Sequence, residues 1–123
     1  MNFRDGQPIY LQIAERLMDE ILAGQYPANE RIPGVRDYSA LLQVNINTTV
    51  KAYDSLTQRD IIYNRRGLGF FVSPDALRII RDTRKQEFLH HQLPDLARAM
   101  QQLDIPLAEV TQSLQALLEV SHS

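Results

Sequence analysis

Apolar positions four residues apart open the chain. Ile9, Ile13, Leu17 and Ile21 recur with the period of a helix face, with Tyr10 and Ala14 beside them, while Glu15, Arg16, Asp19 and Glu20 fall elsewhere. Pro8 suits the first turn, where its missing N–H would have no partner, and Gly24 and Pro27 close the helix. Pro33-Gly34 is a turn signal, and a short helix is expected from about Val35 to Gln43 with Val35, Tyr38, Leu41 and Leu42 apolar. Val44-Asn45-Ile46-Asn47 reads as a tight connection, because asparagine tolerates left-handed backbone and caps helices. The next helix is expected from about Thr48 to Arg59, with Val50, Tyr53 and Leu56 toward a core and Thr48, Lys51 and Ser55 on the other side.

The period then changes. Ile61-Ile62-Tyr63 and Phe70-Phe71-Val72 are β-prone runs, and between them Asn64-Arg65-Arg66-Gly67-Leu68-Gly69 forms a glycine-punctuated hairpin tip with two arginines. Ser73-Pro74-Asp75 starts another helix. In the tail, Leu89, Leu93, Leu96, Met100 and Leu103 step in a heptad-like seam that Pro94 should kink or restart. Asp104-Ile105-Pro106 is a second break, and Leu107, Val110, Leu114 and Leu117 mark a last amphipathic helix.

Composition narrows the class. Of 123 residues, 44% are hydrophobic and 23% charged, the balance of a soluble globular protein. No apolar run is long enough to span a bilayer, and Met1-Asn2-Phe3-Arg4-Asp5 lacks the apolar stretch of a signal peptide, so a cytoplasmic location is expected. The absence of cysteine excludes disulfides and thiolate metal sites. The net charge is −2, but its distribution is uneven: Arg31 to Ser73 holds six basic residues against three acidic, a local +3, whereas the chain from Pro74 onward is locally −2.

The order of elements is helix, short helix, tight turn, helix, β-hairpin. This is mainly α with a small hairpin, a winged helix-turn-helix in which the later helix of the pair meets the DNA major groove. The residues that carry it resemble the GntR family of bacterial regulators, in its short YtrA type. They are Pro8-Ile9-Tyr10-Leu11-Gln12-Ile13, Gly24, Arg31-Ile32-Pro33-Gly34-Val35-Arg36, Val44-Asn45-Ile46-Asn47-Thr48, Lys51-Ala52-Tyr53 and Arg65-Arg66-Gly67-Leu68-Gly69-Phe70-Phe71-Val72. The resemblance implies a DNA-binding domain over residues 7–75 and a C-terminal helical dimerisation region over 76–123. It implies a homodimer on palindromic operator DNA, contacted by Arg36, by Asn45, Asn47, Thr48, Thr49 and Lys51 around the recognition helix, and by Arg65, Arg66, Gly67 and Gly69 of the wing. The dimer would be closed by Leu89, Leu93, Leu96, Met100, Leu103, Leu107, Val110, Leu114 and Leu117. Gly34, Ile46, Val50 and Phe70 depart from the residues usual in the family at those positions.

The residue chemistry agrees in kind. Asparagine pairs bidentately with adenine, threonine reaches phosphate or a thymine methyl, and basic side chains near phosphate add affinity without sequence information. Plainer roles stand beside these: Arg65-Arg66 as a solvated turn, Asn45 and Asn47 as turn and cap residues, Arg36 paired with Asp37 or Asp60, and Tyr10, Tyr38 and Tyr53 as core or interface residues rather than base-stacking platforms. His90 and His91 are adjacent on a helix and point about 100° apart, a poor metal pair, and His122 is terminal. No nucleophile, phosphate loop or metal motif suggests an enzyme, and no cofactor is expected. The alternative function is a winged helix used for protein–protein assembly. A small-molecule effector is unknown, and two short tail helices would leave little room for a pocket of several hundred Å3.

Overall fold

The computed structural model describes residues 5–121; His122 lies outside them. The chain forms two compact units, Met1–Thr83 and Arg84–Ser123.

In the first unit, α1 (Ile9–Leu22) buries Gln12, Ile13, Ala14, Leu17, Met18 and Ile21, the stripe that the four-residue spacing predicts. Its end is a left-handed glycine, Gly24 at φ +84°, after which the Gln25 N–H returns to the Glu20 carbonyl at 3.0 Å. Then come α2 (Val35–Leu42) and α3 (Ile46–Gln58). Gly34 caps α2 without a side chain, while Gln43 ends it at φ +57° and turns the chain toward α3. Asn45 starts α3: its Oδ1 accepts the Asn47 N–H at 2.8 Å.

That cap fixes the phase of α3. The helix begins at Ile46, within the stretch expected to be a connection, and its inward face is Thr49, Ala52, Tyr53 and Leu56. Val50, expected to face the core, is 38% exposed, and Thr49 is fully buried. Positions 49, 52, 53 and 56 follow the i, i+3, i+4, i+7 spacing of one helix face, which leaves 50 off it.

β1 (Ile62–Arg65) and β2 (Gly69–Val72) pair antiparallel with Ile62 opposite Val72 and Arg65 opposite Gly69. A third, very short edge joins them: Arg31 bridges to Phe71, Ile32 N–H donates to the Phe70 carbonyl, and Val72 N–H donates to that of Glu30. The core gathers Ile13, Leu17 and Ile21 with Ile32, Tyr38, Tyr53, Leu56, Ile61, Ile62 and Val72. Each such aliphatic side chain contributes about 1.5–3 kcal/mol on burial. α4 (Ala76–Glu87) sends Ala76 and Ile80 into this same core, so the first compact unit runs on into α4.

The second unit continues from α4 into a widened π turn, Phe88–Gln92, then α5 (Leu93–Gln102) and α6 (Leu107–Ser121). Pro94 is the cause of the π turn: it lacks the N–H that would bond to residue 90, and its ring would clash with that carbonyl. The widened turn accommodates it, with the Leu93 N–H bonding to the Phe88 carbonyl five residues back, and the path stays helical. None of the described residues of α5 or α6 is fully buried.

Candidate nucleic-acid interface

The helix-turn-helix is locked by side chains that sequence periodicity assigned loosely. Ser39 on α2 donates to Thr49 Oγ1 on α3 at 2.8 Å in the buried seam between the helices. Tyr38 donates to Glu20 Oε1 on α1, and Tyr53 donates to the Pro33 carbonyl at 2.6 Å, just before α2. The two rings lie 6.1 Å apart, and Phe70 meets Tyr53 edge-on at 5.1 Å, tying the hairpin to α3. Burial first, then the nearby Glu20 carboxylate, which Tyr38 also hydrogen-bonds, pushes both phenols well above their ordinary range. Tyr38 and Tyr53 are therefore core residues.

Around this frame the polar candidates turn outward. Arg36 on the first turn of α2, Asn45, Asn47 and Lys51 on α3, and Arg65, Arg66 and Gly67 at the hairpin tip are exposed, with Thr48 and Gly69 half-buried. Asn45 spends its Oδ1 on the helix cap, and among the described residues its amide N–H groups meet no acceptor. Lys51 lies over the Tyr10 ring, Nζ 4.3 Å from the centroid, which places the ammonium at the seam of α1 and α3. Among the described residues Arg36 makes no ion pair with Asp37 or Asp60. Thr49 is the exception in the expected set: its hydroxyl is held by Ser39 at 0% exposure, so it anchors the recognition helix and cannot reach DNA.

The wing carries a cation that the sequence reading left out. Arg31 lies against Gly69, and a Cβ on Gly69 would stand 3.0 Å from Arg31 Nε. Gly69 has φ +109°, so the backbone calls for glycine here, while the exposed Arg31 side chain would have to shift to admit a Cβ. Arg65 stacks beside Phe71 at 5.5 Å, and Phe71 stacks on Tyr63 at 5.7 Å, so Arg65 stands on an aromatic base. Arg31 opens the basic stretch of the sequence, and the non-local bridge to Phe71 brings it to the wing.

In the second unit, Leu89, Leu93, Leu96, Leu103, Leu107, Leu114 and Leu117 are exposed, with Met100 and Val110 half-buried. α5, α6 and the Asp104–Pro106 turn leave an open groove of about 670 Å3, lined by Leu93, Leu96, Met100, Ile105, Leu107 and Leu114 among others. His90 Nε2 lies 3.2 Å from Gln86 Oε1, and among the described residues no group of three His, Asp or Glu side chains is placed to hold a metal ion. No helix among them is long and apolar enough to cross a membrane.

A two-helix unit with a locked turn, an exposed second helix and a basic β-hairpin beside it defines a winged helix-turn-helix of the kind that regulators present to DNA. Residues 9–72 match the family model described as bacterial regulatory proteins, gntR family; the chain belongs to this family and is a DNA-binding transcriptional regulator. Among relatives, it is 26% identical to the HTH-type transcriptional regulator YhcF of Bacillus subtilis over 95% of each chain. It is 34% identical to the HTH-type transcriptional repressor YtrA of the same organism, over 59% of this chain and 56% of YtrA. Among solved structures, a GntR-family transcriptional regulator from Bacteroides thetaiotaomicron superposes with a TM-score of 0.80 at 38% identity, covering 92% of this chain and 98% of the other. The AraR DNA-binding domain, solved with its operator ORX1, is similar over 58% of this chain and 93% of that domain, at 25% identity and a TM-score of 0.55.

Proposed function

We propose that the chain is a homodimeric repressor whose two winged helices bind a palindromic operator. The observation that carries the proposal is the sorting of α3: Thr49, Tyr53 and Leu56 face inward, while Asn47 and Lys51 remain exposed, with exposed Arg36 on α2 and Arg66 on the hairpin. Asn47 with the free amide of Asn45 would read base edges, and Arg36, Lys51, Arg31, Arg65 and Arg66 would meet phosphates or the minor groove. Glycines at 67 and 69 let the wing backbone approach closely, both at positive φ. Repression is favoured by likeness to YtrA, and operator binding by likeness to the AraR domain.

The dimer is supported by the uncovered leucines of α5 and α6, since contiguous apolar surface of this kind marks an interaction face. A two-fold dimer would match a two-fold operator, with half-sites about one helical turn apart. The deciding experiment is fluorescence anisotropy of the full chain on its own upstream region across a salt series. Phosphate contacts release counterions, so affinity should fall steeply as salt rises. Weak binding with a flat salt dependence would overturn the proposal.

A further inference from the structure

The exposed face of α3 carries two apolar side chains that the core does not use. Ile46 is 45% and Val50 is 38% exposed, on the first and fifth residues of the helix. Spacing of i, i+4 puts them on one face about 6 Å apart along the axis. Between and beside them stand exposed Asn47 and Lys51. An exposed branched aliphatic pair on the N-terminal half of a recognition helix has one apolar feature to meet in the major groove, the C5-methyl of thymine.

We infer that Ile46 and Val50 read thymine methyl groups, and so set part of the operator's sequence. This rests on the proposed DNA binding and deepens it. The axial separation of the two side chains is close to two base steps of about 3.4 Å each, so neighbouring or next-neighbouring thymines on the half-site can be covered together. Asn47, one residue on from Ile46, is positioned to pair with an adenine near those methyls, which makes the favoured half-site rich in A·T pairs on the helix side. Thr49 does not compete for this role, because its methyl and hydroxyl are in the core.

The test starts with the full chain and duplexes enriched by it from a random pool. Each thymine of the enriched half-site is then replaced in turn by deoxyuridine, which removes the methyl and keeps the base pairing. Removing a methyl that Ile46 or Val50 covers should weaken binding about fourfold. Ile46→Ala and Val50→Ala should each lose the thymine preference at one position while keeping the salt dependence. Both side chains are exposed, so folding should be retained; the deoxyuridine series on the unaltered protein tests the inference even if a variant fails to fold. An enriched duplex whose affinity is unchanged by every deoxyuridine overturns the methyl contact and leaves DNA binding standing. A pool with no enrichment overturns both.

Discussion

Ser39 and Thr49 share a 2.8 Å hydrogen bond in the buried seam between the two helices of the helix-turn-helix. The pair is the polar latch that joins α2 to α3 across the turn, and it keeps the Thr49 hydroxyl inside the fold, away from any ligand on the outer face of α3. Thr49→Val should leave the Ser39 hydroxyl buried without its partner and cost about 1–3 kcal/mol. Ser39→Ala with Thr49→Val together should cost less than the two single changes summed, because neither orphan remains. Urea unfolding of the four proteins checks this; a fully additive result would show that the latch is not a coupled pair.

The wing should be equally specific in its glycines. Gly69→Ala places a side chain at φ +109° and within 3.0 Å of Arg31 Nε, so it should lower stability by about 1–3 kcal/mol and weaken DNA binding. Arg31→Ala in the same chain should relieve the clash and leave the backbone strain, recovering only part of the stability. Chemical denaturation separates the two contributions, and full recovery by Arg31→Ala would show that the backbone is not strained.

How far the sequence foretells this molecule depends on whether a signal is local. The α1 stripe, the closing glycine and the two-strand hairpin follow from spacing within a few residues, and each appears where expected. The face of α3 does not, because its phase hangs on where the helix begins. Asn45 accepting the Asn47 N–H starts it at Ile46, and that start turns Thr49 inward and Val50 outward. The Glu30–Ile32 edge beside β2 has no pattern of its own; it exists only because Phe70 and Val72 offer hydrogen-bonding partners forty residues later in the chain. Pro94 announced a disturbance but not its form, since a π turn and a kink satisfy the same missing N–H.

Arg36→Ala and Arg66→Ala should each weaken operator binding without changing the unfolding midpoint. Both side chains are exposed, so stability should move by no more than about 0.5 kcal/mol. If each meets a phosphate, the slope of log affinity against log salt should shrink by about 1 per substitution. Anisotropy titrations at several salt concentrations read both effects; unchanged affinity in both variants would remove these arginines from the interface.

Alkaline pH should unfold the first unit through its two buried phenols. Tyr38 and Tyr53 have pKa values raised above the ordinary 10.0, chiefly by burial, so the folded state holds their protons more tightly than the unfolded chain. Their contribution is fully present below about pH 10 and declines as pH rises beyond it, because only the unfolded chain then releases the protons readily. Phenolate absorbance from these residues should therefore grow together with loss of helical circular dichroism. Tyr38→Phe should remove part of the alkaline decline, although it leaves Glu20 without its donor. Ionisation of both residues in a chain that is still helical would contradict their placement.

The tail offers the sharpest separation between assembly and fold. Leu96 and Leu114 are exposed and line the same groove, while the core of the first unit draws on neither. Leu96→Glu with Leu114→Glu should thus leave the first unit folded, with its own unfolding transition intact. Across a two-fold interface the same substitutions would bring like charges together in desolvated surroundings, which no leucine packing of about 1.5–3 kcal/mol per side chain would offset. Analytical ultracentrifugation should report a monomer for the variant and, on the proposed assembly, a dimer for the unaltered chain. On a two-half-site operator the variant should bind far more weakly, because linked heads lose the advantage of effective concentration, while its affinity for a single half-site should match that of the unaltered chain. A variant that remains dimeric would place the interface elsewhere on the chain.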